Sequence, residues 1–85
     1  MEYELYVIYD SATNSYGVPM SQTNDAEAMR SFAHEAMKPD SIWHSHPQDF
    51  TLYKVGIYDV SYGTINAYSS PERVCCASDF VRGEK

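Results

Sequence analysis

Cations are scarce in this chain: six Lys and Arg stand against twelve Asp and Glu, a formal net charge of −6 at pH 7 over 85 residues. Such a field opposes any general attraction to nucleic-acid phosphate or to anionic membrane surfaces, so contact with either requires a local patch. Glycine is scarce too, at four residues. They form neither a Gly-x-Ser-x-Gly elbow nor a phosphate-cradling loop, which removes two common enzyme signatures. The longest apolar run, Leu5 to Tyr9, is far shorter than the ~20 residues of a membrane span and follows no basic segment. The chain reads as soluble, unexported and without a membrane partner. Its only cysteines, Cys75 and Cys76, are adjacent, too close for ordinary disulfide geometry, and read as small buried thiols in a reducing compartment.

What is present argues for a folded domain. Hydrophobic residues make up 44% and aromatics 14% of the chain, eight of them tyrosine, whereas disordered chains are poor in both. The length fits one domain over residues 1–85. Residues 3–10, YELYVIYD, alternate Tyr3, Leu5, Val7 and Tyr9 on one face with Glu4, Tyr6, Ile8 and Asp10 on the other, which predicts a strand. Turn formers follow, with Asn14 suited to positive φ, and then a second strand near Tyr16 to Met20, placed at a sheet edge by Pro19. From Thr23 the period changes: Ala26, Met29, Phe32, Ala33, Ala36 and Met37 recur at three and four, a helix capped by Thr23 or Asn24 and ended at Lys38 by Pro39. Its outward charges, Glu27, Arg30, His34 and Lys38, read as a solvated face.

A loop over 39–49 leads to FTLYKVGIYD, apolar on both faces except at Lys54 and therefore central in the sheet. Gly63 turns the chain into a fourth strand, TINAY. Ser69, Ser70 and Pro71 predict a further turn, VCCASDFV a short fifth strand, and residues 82–85 a frayed tail. The segment Ile8-Tyr9-Asp10 before Tyr16-Gly17 is echoed by Ile57-Tyr58-Asp59 before Tyr62-Gly63. The order is hairpin, helix, hairpin. It predicts an α+β fold, an antiparallel sheet of four or five strands with one helix packed on one face, able to form a homodimer through an exposed strand edge.

The stretch Trp43-His44-Ser45-His46-Pro47 raises the question of a metal. Two imidazoles at i and i+2 can reach one ion with Asp49 as a third ligand. The His-x-His-Pro element also occurs in zinc hydrolases that remove ubiquitin-like modifiers, where a Ser-x-x-Asp element follows. Here Asp59 has no serine three residues before it, and a general base would have to come from Glu27 or Glu35. The plainer reading is that His44 or His46 bonds loop carbonyls while Trp43 covers the helix end. No metal, cofactor or catalytic residue is assigned, and the protein is read as a non-enzyme.

Exposed tyrosines on a sheet can stack bases for about 1–3 kcal/mol each. The candidate nucleic-acid residues are Arg30, Lys38 and Lys54 with Tyr6, Tyr53 and Tyr58. The alternative is an acidic module for a basic protein partner.

Tyr9-Asp10, Tyr16, Pro19, Ala28, Arg30-Ser31-Phe32, Pro39, His46-Pro47, Asp49-Phe50, Leu52-Tyr53, Gly56, Tyr58-Asp59 and Gly63 occur in an order and spacing that resembles the small nonstructural protein of microviruses, chiefly the gokushovirus group of single-stranded DNA phages. The resemblance spans about residues 3 to 68. It implies a non-virion phage protein in the cytoplasm of the infected bacterium. The resemblance further implies a role in genome replication or single-stranded DNA synthesis, by weak contact with single-stranded DNA or through a phage or host replication protein. Phosphoryl-transfer chemistry in these phages belongs to a separate initiator protein, so the resemblance carries over no catalytic residue.

Overall fold

A computed structural model describes residues 1–81. The chain forms an α+β fold in hairpin, helix, hairpin order. Strands β1 (Glu2–Asp10), β2 (Ser15–Tyr16) and β3 (Met20–Gln22) precede α1 (Asp25–Ala36), and α2 (Ile42–Ser45), β4 (Phe50–Asp59) and β5 (Thr64–Cys76) follow it. The sheet is antiparallel in the order β2-β1-β4-β5, with β3 also on β1. As expected from its two apolar faces, β4 lies inside the sheet.

Local chemistry explains the turns. Asn14 and Gly63 hold positive φ, 56° and 67°. Asp10 and Asp59 each accept a bond from the amide two residues on, Ala12 at 3.0 Å and Ser61 at 2.9 Å. The repeated Tyr-Asp pair is thus one turn device used twice. At the start of α1, Asn24 Oδ1 accepts from the Glu27 amide at 2.9 Å, and Asp25 and Glu27 sit in the first turn.

The helix buries Ala28, Phe32 and Ala36 against Tyr6, Phe50, Leu52 and Cys75 of the sheet. The stripe lies slightly off the expected one, since Ala26 and Met37 are exposed. Both thiols are free and buried.

Five local expectations are corrected. The second strand is split into β2 and β3, because the Gly17 amide still donates to the Ile8 carbonyl at 2.8 Å but Val18 and Pro19 then leave β1, between the pairs Tyr9↔Tyr16 and Tyr6↔Met20. Helix α1 stops at Ala36 rather than Lys38, with Met37 as its cap. The 39–49 loop contains α2 and a 3-10 turn over Pro47–Asp49, started by the Ser41 hydroxyl accepting from the Trp43 amide at 3.0 Å. Residues 64–76 form one strand rather than two separated by a turn. The ladder runs to Gly56↔Ala67 and resumes at Lys54↔Glu72, so Tyr68 to Pro71 make an excursion opposite Val55. Residues 77–79 of the expected fifth strand are a 3-10 turn. The expected tail at 82–85 lies outside the described residues.

Candidate nucleic-acid interface

Alternation along β1 separates two kinds of surface. Tyr6 and Ile8 face α1, so Tyr3, Leu5, Val7 and Tyr9 face the other way. Cross-strand partners share a face, and the register therefore adds Tyr16, Thr51, Tyr53, Gly56 and Tyr58, then Ile65, Ala67 and Arg73 of β5. Five tyrosines thus stand on the face that α1 does not cover. Tyr9, Tyr16 and Tyr53 form one cluster, with ring centroids 4.7, 5.9 and 6.3 Å apart. Tyr3 and Tyr58 are paired directly across the strands. Val7 is 5% exposed although it lies outside the helix-side core, because its neighbours on the open face bury it.

This face carries no carboxylate at its register positions. Glu4 and Asp10 alternate to the helix side, as do Asp59, paired with Glu2, and Glu72, paired with Lys54. The one charge in the register is Arg73, opposite Tyr53, with Asp79 3.9 Å from it at the margin.

The residues proposed from sequence are not brought together. Tyr6 is fully buried, so it offers no ring for stacking. Its hydroxyl donates to Asp25 Oδ1 at 2.6 Å, with Glu4 Oε1 at 3.3 Å; burial, and then the Asp25 carboxylate, push its pKa well up. Lys54 Nζ lies 2.7 Å from Glu4 and 3.0 Å from Asp25, which hold the ammonium charged and away from phosphate. Lys38 is 2.7 Å from Glu35, and Arg30 is 3.9 Å from Glu27. These three cations belong to the helix side, across the sheet from Tyr53 and Tyr58. Tyr3, Tyr9, Tyr16 and Arg73 join the candidate site in place of Tyr6, Arg30, Lys38 and Lys54. The signal for Tyr3 and Tyr9 was the second apolar face of β1, whereas Tyr16 and Arg73 are placed there by strand register.

The histidines turn to separate partners. His44 Nδ1 donates to the Ala36 carbonyl at 3.1 Å, closing the end of α1, and His46 Nδ1 is 2.9 Å from Ser45 Oγ. Trp43 packs on Phe32 and Phe50, with centroids 5.1 and 6.0 Å away. Among the described residues no group of three or more His, Cys, Asp or Glu is disposed to hold a metal.

The Tyr6, Asp25 and Lys54 cluster predicts an acid response. The Tyr6 hydroxyl, and then Lys54, lower the Asp25 pKa. The resulting stability is complete above the unfolded carboxylate value, about 3.9, and is lost as pH falls through the lower folded value. Asp25 is half exposed, so solvent screens its pair with Lys54. Tyr6→Phe is expected to cost about 1–2 kcal/mol near neutrality, a difference that narrows below about pH 4. Urea unfolding across pH measures it, and an unchanged difference at low pH would refute the assignment.

Among the described residues no helix is long and apolar enough to cross a membrane. Searches of curated proteins and of solved structures give no match. Residues 3–80 match the family model described as Phage ORF5 protein. That match runs from the start of β1 past the end of β5, and the chain therefore belongs to the Phage ORF5 protein family.

Proposed function

We propose that this phage protein is a non-catalytic accessory factor of the microvirus, gokushovirus-like type, acting in genome replication or single-stranded DNA synthesis in the cytoplasm of the infected bacterium. It contacts single-stranded DNA weakly, by stacking bases on the open sheet face. The observation that carries this reading is the segregation of five tyrosines and Arg73 onto a face whose register positions hold no acid. Base stacking is tolerant of sequence, because every base has a π-face. A net charge of −6 is compatible with it because, among the described residues, the register positions of this face hold no carboxylate and only Asp79 stands at its margin.

The test is fluorescence anisotropy of a labelled single-stranded oligonucleotide at several salt concentrations. With Arg73 as the main phosphate contact, log K is expected to fall with log salt at a slope of about −0.7. Tyr53→Ala should weaken binding about tenfold, within the ~1–3 kcal/mol of one stacked base, whereas Lys38→Ala should leave it unchanged. No binding at low salt would sink the reading. It would favour instead an acidic module for a basic phage or host replication protein, a reading supported by the pairing of Arg30, Lys38 and Lys54 with carboxylates.

A further inference from the structure

The helix side of the sheet holds a cleft that shares only Tyr16 with the proposed stacking face. It is an open cavity of about 450 Å³ walled by Ile8, Val18, Met20, Trp43 and Phe50. A smaller recess of about 100 Å³ shares Ile8, Met20 and Trp43 with it and continues to Phe32. The larger volume lies within the ~300–1,000 Å³ usual for binding sites. Its walls are not spare core surface, since Val18 is 86% and Met20 38% exposed.

Charge selects the occupant. Among the described residues Asp10 is the one charged residue lining the larger cavity, and Glu35 the one lining the recess. Glu35 is paired with Lys38. Among the described residues Asp10 has no Lys or Arg within ion-pair distance, and it accepts one backbone bond, from Ala12. Asp49 stands at the margin, accepting from the Ser11 hydroxyl at 3.4 Å.

We infer that this cleft binds a short segment of a partner protein in which a bulky apolar side chain adjoins a lysine or arginine. The apolar side chain lies against Trp43 and Met20, and the cation meets Asp10. A like-charged peptide would meet both Asp10 and the overall field of the chain. The inference goes beyond the DNA reading and does not need it. Tyr16 borders both surfaces, so the test avoids it.

Trp43 is the only tryptophan, and its indole N–H signal reports on both cavities. The whole ¹⁵N-labelled protein is titrated with acetyl-Lys-Leu-Lys-amide and, separately, acetyl-Glu-Leu-Glu-amide. The basic peptide is expected to shift the Trp43 indole and the Ile8 and Met20 amides with a Kd on the order of 1 mM; the acidic one should not. Val18→Lys, at a site exposed enough to leave the fold intact, should weaken binding about tenfold or more, and Asp10→Asn about threefold. Equal response to both peptides, no shift at Trp43, or indifference to Val18→Lys would overturn the inference. Loss of oligonucleotide binding in Tyr53→Ala leaves these outcomes untouched.

Discussion

Gly56→Val is expected to destabilise the protein by about 3 kcal/mol, a fall in Tm of about 12–24 °C for a domain of this size. A Cβ at position 56 would lie 2.6 Å from Asn66 O and 3.1 Å from Ala67 Cα, both backbone atoms of β5. No side-chain rotation relieves such a contact. Strand β5 has to retreat where the ladder is already interrupted between Lys54 and Gly56, so the hairpin pairing beyond it is weakened as well. Gly63→Ala is the milder control: Gly63 has φ of +67° but open space around it, so strain alone acts there, at about 1 kcal/mol. Circular dichroism melts compare the two. A Gly56→Val midpoint within about 3 °C of the parent would mean that β5 is not held against β4 as described.

Phe32→Ala should cost about 3–5 kcal/mol, the usual range for emptying a buried phenylalanine site. Phe32 is 2% exposed and central to the helix-side core, with Trp43 5.1 Å away on α2 and Phe80 6.5 Å away beyond β5. One ring therefore joins three segments distant in sequence. A chain of this length has a total stability of about 4–13 kcal/mol, so the substitution removes a large part of it. Urea denaturation followed by Trp43 fluorescence gives the value. A loss under 1 kcal/mol would show that the surrounding core closes over the gap.

The sequence disclosed elements better than it disclosed which surfaces are covered. Periodicity located α1 and β4, and Asn24, Asn14 and Gly63 perform the local tasks that their chemistry predicts. It misread residues 69–71 because Ser and Pro favour turns but equally suit an excursion from a ladder that then resumes. On β1, alternation correctly paired Tyr6 with Glu4 and Ile8, yet it could not say which face the helix would take. The helix took the face with the carboxylates because β4 and β5 present Phe50, Leu52 and Cys75 there for Phe32 to pack on, and Glu4 and Asp25 are matched by Lys54 and the Tyr6 hydroxyl. The more apolar set, Tyr3 to Tyr9, was left open. That inversion removed Tyr6 and Lys54 from the candidate site and brought in Tyr9, Tyr16 and Arg73. Apolar residues supplied by β4 and β5 decided it, and the pattern of β1 alone does not record them.

The interruptions of the two outer strands have a further consequence. A sheet with an open aromatic face and continuous edges would template its own fibrils in a crowded cell, because each edge offers a row of unpaired N–H and C=O groups to the next chain. Here one edge is broken into two short pieces around Pro19, and the other leaves its ladder over Tyr68 to Pro71. Each break contains a proline, which has no N–H to lend to an added strand. Stacked growth along either edge is therefore stopped after a few residues, and the tyrosines can stay uncovered without making the chain prone to aggregate.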